Sequence, residues 1–352
     1  MALFKVKPQF RRRSKVLSYY GTADNLYENR SYNLAATSIG NYALFGGGVV
    51  SYDPSNSVTA YNTSLTRTKP SGLSQARVNL AATSIGNYAL FSGGENGLSN
   101  DYTYIVDVYD SSLTKLSNKS LNRGRSDLAA TSVGDYALFA GGYYNNGSMN
   151  FESQIDAFNS SLTRFNPGYV RAGGMNLAAT SVGNYALFSP GMTYDSSSNY
   201  YSKWVTACNS SLVISNPPDL SQARSESAAA SVGNYALIGG GYNDTNYYSN
   251  KVDAYDTSLV KTTPTVLSQA RTHLAGTSVG GYALFAGGYY NGLNAVRDEV
   301  DAYDSSLVKT ISTPLSQARR DLAATSVGSY ALFGGGYYPN LYNSIVDVYQ
   351  VA

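Results

Sequence analysis

The chain has 352 residues, of which 43% are apolar and 14% charged, and its formal net charge is only +2 at pH 7. This weak charge excludes a general electrostatic attraction to nucleic acid or to an anionic membrane surface. The single cysteine, Cys208, excludes an intrachain disulfide, and the lack of a run of about 18 apolar residues excludes insertion into a membrane as a helix.

Residues 1–15 differ in composition from the rest of the chain. Their basic residues are Lys5, Lys7, Arg11, Arg12, Arg13 and Lys15. We interpret the segment as a solvated basic tail. The alternatives are attachment to neighbouring subunits of a larger assembly, a weak contact with an anionic partner, and a short edge strand. The tail lacks the apolar run of about 7–15 residues that a secretory signal needs, so the protein either is not secreted by that route or has already lost its signal.

One sequence unit recurs seven times in the remaining residues, 16–352, which we treat as one domain. The residues that begin its first strand are spaced 46 to 50 residues apart: Leu34, Leu80, Leu128, Leu177, Ser227, Leu274 and Leu322. A fixed period in this range is typical of repeat architectures, in which each unit packs against its two neighbours.

Each repeat is predicted to contain four short strands. In the seventh, residues 322–327 form the first strand, Gly328-Ser329 supplies a two-residue hairpin turn, and the wholly apolar residues 330–333 form the second strand. A glycine-rich segment and a variable loop follow, and the third strand begins at Val346. In the earlier repeats a capped corner leads to a fourth strand that contains Lys and Pro, which are typical of an exposed edge.

Seven four-stranded antiparallel units predict an all-β fold, a seven-bladed β-propeller. The seventh repeat ends after its third strand, whereas about residues 16–27 are in surplus before the first repeat. We therefore predict that this N-terminal segment supplies the outer strand of the last blade and closes the ring.

The pattern of strand, glycine pair, third-strand Tyr and closing Arg resembles the kelch repeat over about residues 30–350. The kelch repeat carries a Trp shortly after the third-strand Tyr. This chain has leucines in that region: Leu65, Leu113, Leu162, Leu212, Leu259 and Leu307. Near-identical repeats of this type look like those of bacterial and bacteriophage kelch-like proteins, which implies a virion or cell-surface component as one setting.

The loops after the glycines vary most between repeats and are rich in Tyr, Asn, Ser and Gly. This composition is typical of adaptable recognition surfaces. The candidate ligand-binding tyrosines are Tyr143, Tyr144, Tyr194, Tyr242, Tyr247, Tyr248, Tyr289, Tyr290, Tyr337 and Tyr338. The alternative is that at least one Tyr of each Tyr-Tyr pair packs against the next blade.

Arginines precede most of the first strands and form the second candidate ligand site: Arg77, Arg125, Arg224, Arg271 and Arg319. Arg30 lies one place away from the pattern, and Arg171 is displaced by a Gly-Gly insertion. The kelch resemblance implies that such arginines line the channel mouth, where they could hold an acidic ligand. The leading alternative is ion pairing between blades, with the nearby carboxylates of Asp127, Glu226 and Asp321 as partners.

The third-strand aspartates recur once per blade, which favours a structural hydrogen bond over paired acid–base chemistry. They are Asp107, Asp156, Asp253, Asp301 and Asp347.

The inventory for catalysis is poor, because His273 is the only histidine and no metal-binding spacing occurs. No cofactor is expected. The favoured hypothesis is a non-enzymatic recognition module that binds a protein or glycan through its loops. The second is a kelch-like sugar or sugar-acid epimerase at the channel mouth, for which the resemblance implies Arg and Glu as functional residues. Candidate glutamates are Glu28, Glu95, Glu152, Glu226 and Glu299. The third is a structural subunit of a larger assembly.

Overall fold

The computed structural model describes residues 15–28, 32–97, 101–171, 173–194, 199–290, 295–338 and 341–352. Its main elements are seven four-stranded antiparallel sheets. The first strand of each sheet lies beside the first strand of the next, and the seventh lies beside the first, so the sheets close into a ring. The predicted seven-bladed propeller is therefore confirmed. Within the described ranges there is no helix of a length and apolarity that could cross a membrane.

The blades are numbered in chain order. Blade 1 contains Leu34–Ile39, Tyr42–Gly47, Val58–Asn62 and Arg67–Thr68. Blade 2 contains Ala81–Ile85, Tyr88–Ser92, Ile105–Asp110 and Lys119–Ser120. Blade 3 contains Ala129–Val133, Tyr136–Ala140, Gln154–Asn159 and Arg164–Tyr169. Blade 4 contains Ala179–Val182, Tyr185–Phe188, Thr206–Asn209 and Ile214–Ser215.

Blade 5 contains Ala228–Val232, Tyr235–Gly239, Val252–Asp256 and Lys261–Thr262. Blade 6 contains Ala275–Val279, Tyr282–Ala286, Val300–Asp304 and Lys309–Ser312. Blade 7 contains Ala323–Val327, Tyr330–Gly334, Val346–Val351 and, as its outer strand, the N-terminal Leu17–Ala23.

The N-terminal strand closes the ring as predicted. Leu17–Ala23 pairs antiparallel with Val346–Val351, from Leu17 opposite Val351 to Ala23 opposite Val346. The register shifts between Tyr19 and Gly21, where Gly21 has a φ of 126° that only glycine adopts readily. Of the basic tail, Lys15 alone lies among the described residues.

The strand pattern follows from what each strand faces. First strands alternate between buried and half-buried residues, because every second side chain faces the central channel. Second strands are buried on both faces, since each packs between two neighbouring blades. The first two strands are joined by two-residue turns, and the turn glycine has a positive φ in every blade, as at Gly86 with 53°.

The core consists of seven apolar clusters, each between two blades. At the interface of blades 1 and 2, Phe91 and Tyr109 pack onto Leu44 and Ala60. The two rings meet edge to face, with centroids 6.0 Å apart, and both residues are fully buried. The Tyr109 hydroxyl donates a hydrogen bond to the Ser71 carbonyl in the linker from the preceding blade, so the buried polar group is satisfied.

The leucines that stand in place of the kelch Trp fill the same interfaces. Leu113 is half-buried against the cluster between blades 1 and 2. It has a positive φ of 64°, and the preceding Asp110 accepts hydrogen bonds from the Ser112 and Thr114 amides, as expected of a capped corner.

Candidate functional site

The five predicted arginines lie inside the blades, not at the channel mouth. Their side chains have no exposed surface, and each guanidinium binds the third-strand aspartate of its own blade. The pairs and their N–O distances are Arg77–Asp107 at 2.7 Å, Arg125–Asp156 at 2.9 Å, Arg224–Asp253 at 2.8 Å, Arg271–Asp301 at 2.8 Å and Arg319–Asp347 at 2.7 Å. The predicted position of these arginines is thus corrected. The alternative of ion pairing is confirmed, but the partners are the third-strand aspartates and not the acidic residues that follow the arginines.

The ion pairs have a structural role that extends to the linkers. Asp107 also binds Lys115, which lies between the third and fourth strands, at 2.9 Å and accepts a hydrogen bond from the Ser74 amide. Burial by itself would raise the pKa of Asp107, but these cations and donors outweigh it and hold the pKa below its ordinary value. The aspartates are therefore structural, as expected, although their main partners are linker groups and arginines.

The two displaced arginines behave differently. Arg171 is exposed, pairs with Asp219 at 3.1 Å and lies over the Trp204 ring. Arg30 falls outside the described residues. In blade 7 the aspartate has a second partner from the N-terminal segment. Besides its ion pair with Arg319, Asp347 accepts a hydrogen bond from the Tyr19 hydroxyl at 2.8 Å. Burial and the Asp347 carboxylate raise the pKa of Tyr19 to about 12.

Seven residues, one from each repeat, surround the mouth of the central channel, and we call them the mouth ring. They are Asn33, Asn79, Asp127, Asn176, Glu226, His273 and Asp321. Each directly precedes the first residue of the repeat unit, and all have a positive φ between 55° and 60°. Backbone hydrogen bonds run between neighbours around the ring, for example from the Asp127 amide to the Asn79 carbonyl at 2.9 Å.

The left-handed backbone explains the residue types in the mouth ring. Asn, Asp and His tolerate this conformation better than other non-glycine residues, whereas Glu226 adopts it at a greater cost. The ring encloses a polar cavity of about 460 Å³, which has the size of a small-ligand site.

Ionisable groups of the mouth ring face one another. The His273 Nδ1 atom lies 3.0 Å from a Glu226 carboxylate oxygen, and Arg320 lies 3.2 Å from Asp321. Burial alone would lower the pKa of His273, but Asp321 and Glu226 raise it above its ordinary value. Burial raises the pKa of Asp127 to about 6, helped by the negative charges of Glu95 and Glu226.

A second ring, which we call the outer ring, lies around the mouth ring. Its members directly follow the glycines: Val49, Glu95, Tyr143, Met192, Tyr242, Tyr289 and Tyr337. Each is joined by backbone hydrogen bonds to the residue that directly precedes a mouth-ring residue. Tyr242, for example, pairs with Ser225, and Tyr337 pairs with Arg320. The two rings are therefore concentric.

The compositions of the two rings vary together. In blades 3, 5, 6 and 7 an ionisable mouth-ring residue is matched by Tyr in the outer ring. In blades 1, 2 and 4 the mouth-ring residue is Asn and the outer-ring residue is Val49, Glu95 or Met192. The face is consequently asymmetric, with its aromatic and ionisable groups concentrated on three consecutive blades, 5 to 7.

The loops of this face fold into small hairpins rather than irregular loops. Their paired strands are Val49–Val50 with Asp53–Pro54, Tyr143–Asn145 with Met149–Phe151, Met192–Tyr194 with Asn199–Tyr201, Tyr242–Asn243 with Tyr247–Tyr248, and Tyr337–Tyr338 with Leu341–Tyr342. Blades 2 and 6 have single bridges at the same place, Glu95 with Tyr102 and Tyr289 with Val296. We call the surface formed by the two rings and these hairpins the hairpin face.

Two of the predicted tyrosines contact the preceding blade, whereas the alternative predicted contact with the next one. Tyr143 meets Tyr102 of blade 2 at a centroid distance of 5.4 Å, and Tyr242 meets Tyr201 of blade 4 at 5.5 Å. Tyr144 lies under Arg123 at 4.4 Å. Tyr338 is half-buried, and Tyr247 is 60% exposed. Tyr194 ends a hairpin strand, but its side chain is outside the described part of the chain.

One group of these residues is continuous, and we call it the aromatic arc: Tyr242, Tyr248, Tyr289, Arg320 and Tyr337. Successive ring centroids are 5.7 Å apart from Tyr242 to Tyr248 and 5.8 Å from Tyr248 to Tyr289. Arg320 then lies 5.4 Å from the Tyr289 ring and 5.0 Å from the Tyr337 ring. The arc spans blades 5 to 7 and runs beside the ionisable part of the mouth ring.

Sequence reasoning missed the mouth ring. Its signal is the residue directly before each repeat unit, which is polar in all seven copies. Among the described residues, no three or more His, Cys, Asp or Glu side chains lie together in a group that could hold a metal ion. What the mouth offers is a set of hydrogen-bonding amides, carboxylates and one imidazole, framed by tyrosine rings.

Comparison with known proteins gives the fold and little more. No family model matches the chain, and no curated protein matches it in sequence. The solved structure "Structure of YjhT" is similar over 94% of this chain and 96% of that chain, with a TM-score of 0.59 and 10% identity. This likeness shows a β-propeller repeat protein that is kelch-like in structure. Because 580 chains of solved structures match, the fold cannot by itself select a function.

Proposed function

We propose that this protein is a non-enzymatic recognition module that binds a protein or glycan ligand on its hairpin face. The observation that supports this most directly is the matched asymmetry of the two concentric rings. The scaffold repeats seven times, yet the residues that surround the channel mouth do not, and they change together from blade to blade. Residues that serve only the scaffold have no reason to vary in this paired way.

The physical state of the mouth supports the same proposal. Asp127 keeps a partly desolvated carboxylate at a position where three other blades have Asn, and Glu226 adopts a left-handed backbone that disfavours glutamate. Both features reduce the stability of the isolated protein. Groups that are unfavourable for folding but face a polar cavity are expected where a ligand is bound.

The experiment screens the protein against a glycan array and a phage-displayed random peptide library, in parallel with two matched variants. Tyr247→Ala removes a tyrosine that is 60% exposed on the hairpin face, and Tyr169→Ala removes one that is 59% exposed on the outer strand of blade 3. We expect binders that are weakened by Tyr247→Ala and unaffected by Tyr169→Ala. The proposal is wrong if no binder is weakened by Tyr247→Ala or by a substitution in the mouth ring.

A second candidate is an epimerase that acts on a sugar in the mouth cavity. It is favoured by the Asp127 carboxyl, whose pKa of about 6 suits proton transfer near neutral pH, and by the Glu226–His273 pair in the same cavity. NMR of each sugar found to bind distinguishes the candidates. Anomeric or epimeric exchange that requires the protein and is lost in Asp127→Asn supports the enzyme, whereas binding without exchange supports recognition.

The predicted attachment of residues 1–15 to an assembly, and a virion or cell-surface setting, stay predictions. Deletion of residues 1–14 leaves the described outer strand of blade 7 intact, so loss of assembly with an unchanged melting temperature would support attachment through the tail.

A further inference from the structure

Within the proposed recognition function, the structure also points to a class of ligand. We propose that the aromatic arc binds an extended, uncharged glycan chain, and that the terminal sugar of this chain enters the cavity inside the mouth ring.

The arc provides a continuous path of flat groups. From Tyr242 through Tyr248 to Tyr289 the rings follow one another at less than 6 Å, and Arg320 continues the path to Tyr337. The tyrosines are half-buried, so part of each remains accessible. Aromatic rings held in place by mutual packing lose little conformational entropy when they bind, and they offer apolar surfaces to the carbon face of a sugar. A path of several rings suits a chain of several sugars.

The arc leads to the mouth cavity. The outer-ring residues Tyr242, Tyr289 and Tyr337 are bridged to Ser225, Thr272 and Arg320. These three residues directly precede mouth-ring residues in the chain. A chain that lies on the arc therefore runs alongside Glu226, His273 and Asp321, and a terminal sugar that turns inward from the arc reaches them. Carboxylates and amides there can accept and donate hydrogen bonds to sugar hydroxyls.

Charge excludes acidic sugars from this position. The mouth ring contains three carboxylates, and Glu95 lies beside it. Among the described residues near the mouth, the cations His273 and Arg320 are already paired with these carboxylates. The five arginines that could have attracted an acid are sequestered in the blades. A uronic or sialic acid would therefore meet like charge in a partly desolvated cavity.

The described residues of the hairpin face favour a sugar over an amphipathic peptide helix. Such a helix lays its apolar face into a groove lined by hydrophobic side chains. Among the described residues, the large exposed aliphatic side chains lie on outer strands or corners, such as Val260, Val308 and Ile311, with Met149 as the exception on this face.

The experiment measures binding of uncharged oligosaccharides of one to six units, found on the array, and of the same chains ended by a uronic acid. We expect affinity to rise with chain length and to fall about tenfold with the terminal acid. Tyr248→Ala should weaken binding about tenfold or more, the loss expected for one stacked ring. Tyr248→Phe should bind like the unmodified protein, and Tyr169→Ala, on the outer strand of blade 3 and outside the hairpin face, should leave binding unchanged.

The outcomes separate this inference from the function on which it rests. Peptides that depend on Tyr247, together with no binding of any uncharged glycan, would overturn the inference and leave recognition by the hairpin face standing. A preference for the acidic chains, or equal losses in Tyr248→Ala and Tyr169→Ala, would also overturn it. If no binder depends on the hairpin face, both proposals fail. Tyr289→Leu provides a second test of the arc should Tyr248→Ala not fold.

Discussion

The buried ion pairs make a strong prediction about stability. In blade 6, Asp301 binds Arg271 at 2.8 Å and accepts hydrogen bonds from the amide and hydroxyl of Ser268, and both charged side chains are fully buried. Asp301→Asn preserves the size of the side chain and one acceptor oxygen. It removes the negative charge and leaves the Arg271 guanidinium without its counterion in the interior.

Removing one partner of a buried pair costs about 3–5 kcal/mol. For a chain of 352 residues the entropy of unfolding is about 0.7 kcal/mol/K, so the melting temperature should fall by about 4–7 °C. Thermal unfolding followed by circular dichroism and calorimetry measures this shift.

The chain offers a matched control three residues away. Asp304 caps the corner of the same blade by accepting hydrogen bonds from the Ser306 and Val308 amides. Blade 1 has Asn62 at this position with the same two bonds, so Asp304→Asn should change the free energy of unfolding by less than about 0.5 kcal/mol. The reasoning is refuted if Asp301→Asn is no more destabilising than Asp304→Asn.

Three further predictions concern ionisable groups. Because the folded pKa of Asp127 is about 6 and its unfolded pKa about 4, stability is lost as pH rises from about 4 to 6, and the loss is complete above that range. Asp127→Asn should therefore stabilise the protein by about 2–3 kcal/mol at pH 8 and by little at pH 4. Unfolding curves across this range would contradict the pKa if the gain did not vary with pH. Because the pKa of His273 is raised in the folded protein, its interactions stabilise the fold fully below the unfolded pKa of about 6.5, and this stability is lost as pH rises through the folded pKa. His273→Asn should therefore destabilise the protein more below a pH of about 6.5 than at alkaline pH. A difference that does not vary with pH would argue against the pairing with Glu226. Tyr19→Phe removes a hydrogen bond to the buried Asp347 carboxylate and should lower the free energy of unfolding by about 1.5–3 kcal/mol. Amide exchange in residues 17–23 should become faster. Unchanged exchange there would mean that this bond does not hold the closing strand.

The fold was predictable because its signals are local and repeated. The seven-fold period, the turn glycines and the alternation of the first strands each specify a short segment, and the surplus N-terminal segment follows from comparing the first and last repeats. Closure by Leu17–Ala23 needed no knowledge of distant contacts.

The sequence prediction put the arginines at the wrong place because they belong to an irregular linker, where no strand period fixes the direction of a side chain. Arg77 and the mouth-ring residue Asn79 are two residues apart in the chain. Arg77 points into the blade and Asn79 lies at the channel mouth, and the positive φ of 56° at Asn79 contributes to this change of direction. The sequence does carry a signal for the ion pair. Blade 4 lacks both partners, with Gly174 at the position of the arginine and Thr206 at that of the aspartate.

The mouth ring and the aromatic arc depend on contacts between blades about 47 residues apart in sequence. The Tyr-rich composition of the loops indicated a recognition surface, but it did not show which tyrosines lie side by side. Only the folded ring brings Tyr248 to Tyr289 and places both beside the ionisable mouth-ring residues.

Binding of the ligand by the hairpin face is tested most directly by hydrogen–deuterium exchange. Exchange is measured with and without the tightest binder from the glycan and peptide screens. We expect slower exchange in the hairpin of blade 5, residues 242–248, and in the linkers that carry Glu226, His273 and Asp321. The two-residue turns at the opposite face, such as Gly233-Asn234 and Gly280-Gly281, should exchange at an unchanged rate. Protection of those turns with no change in residues 242–248 would contradict the account.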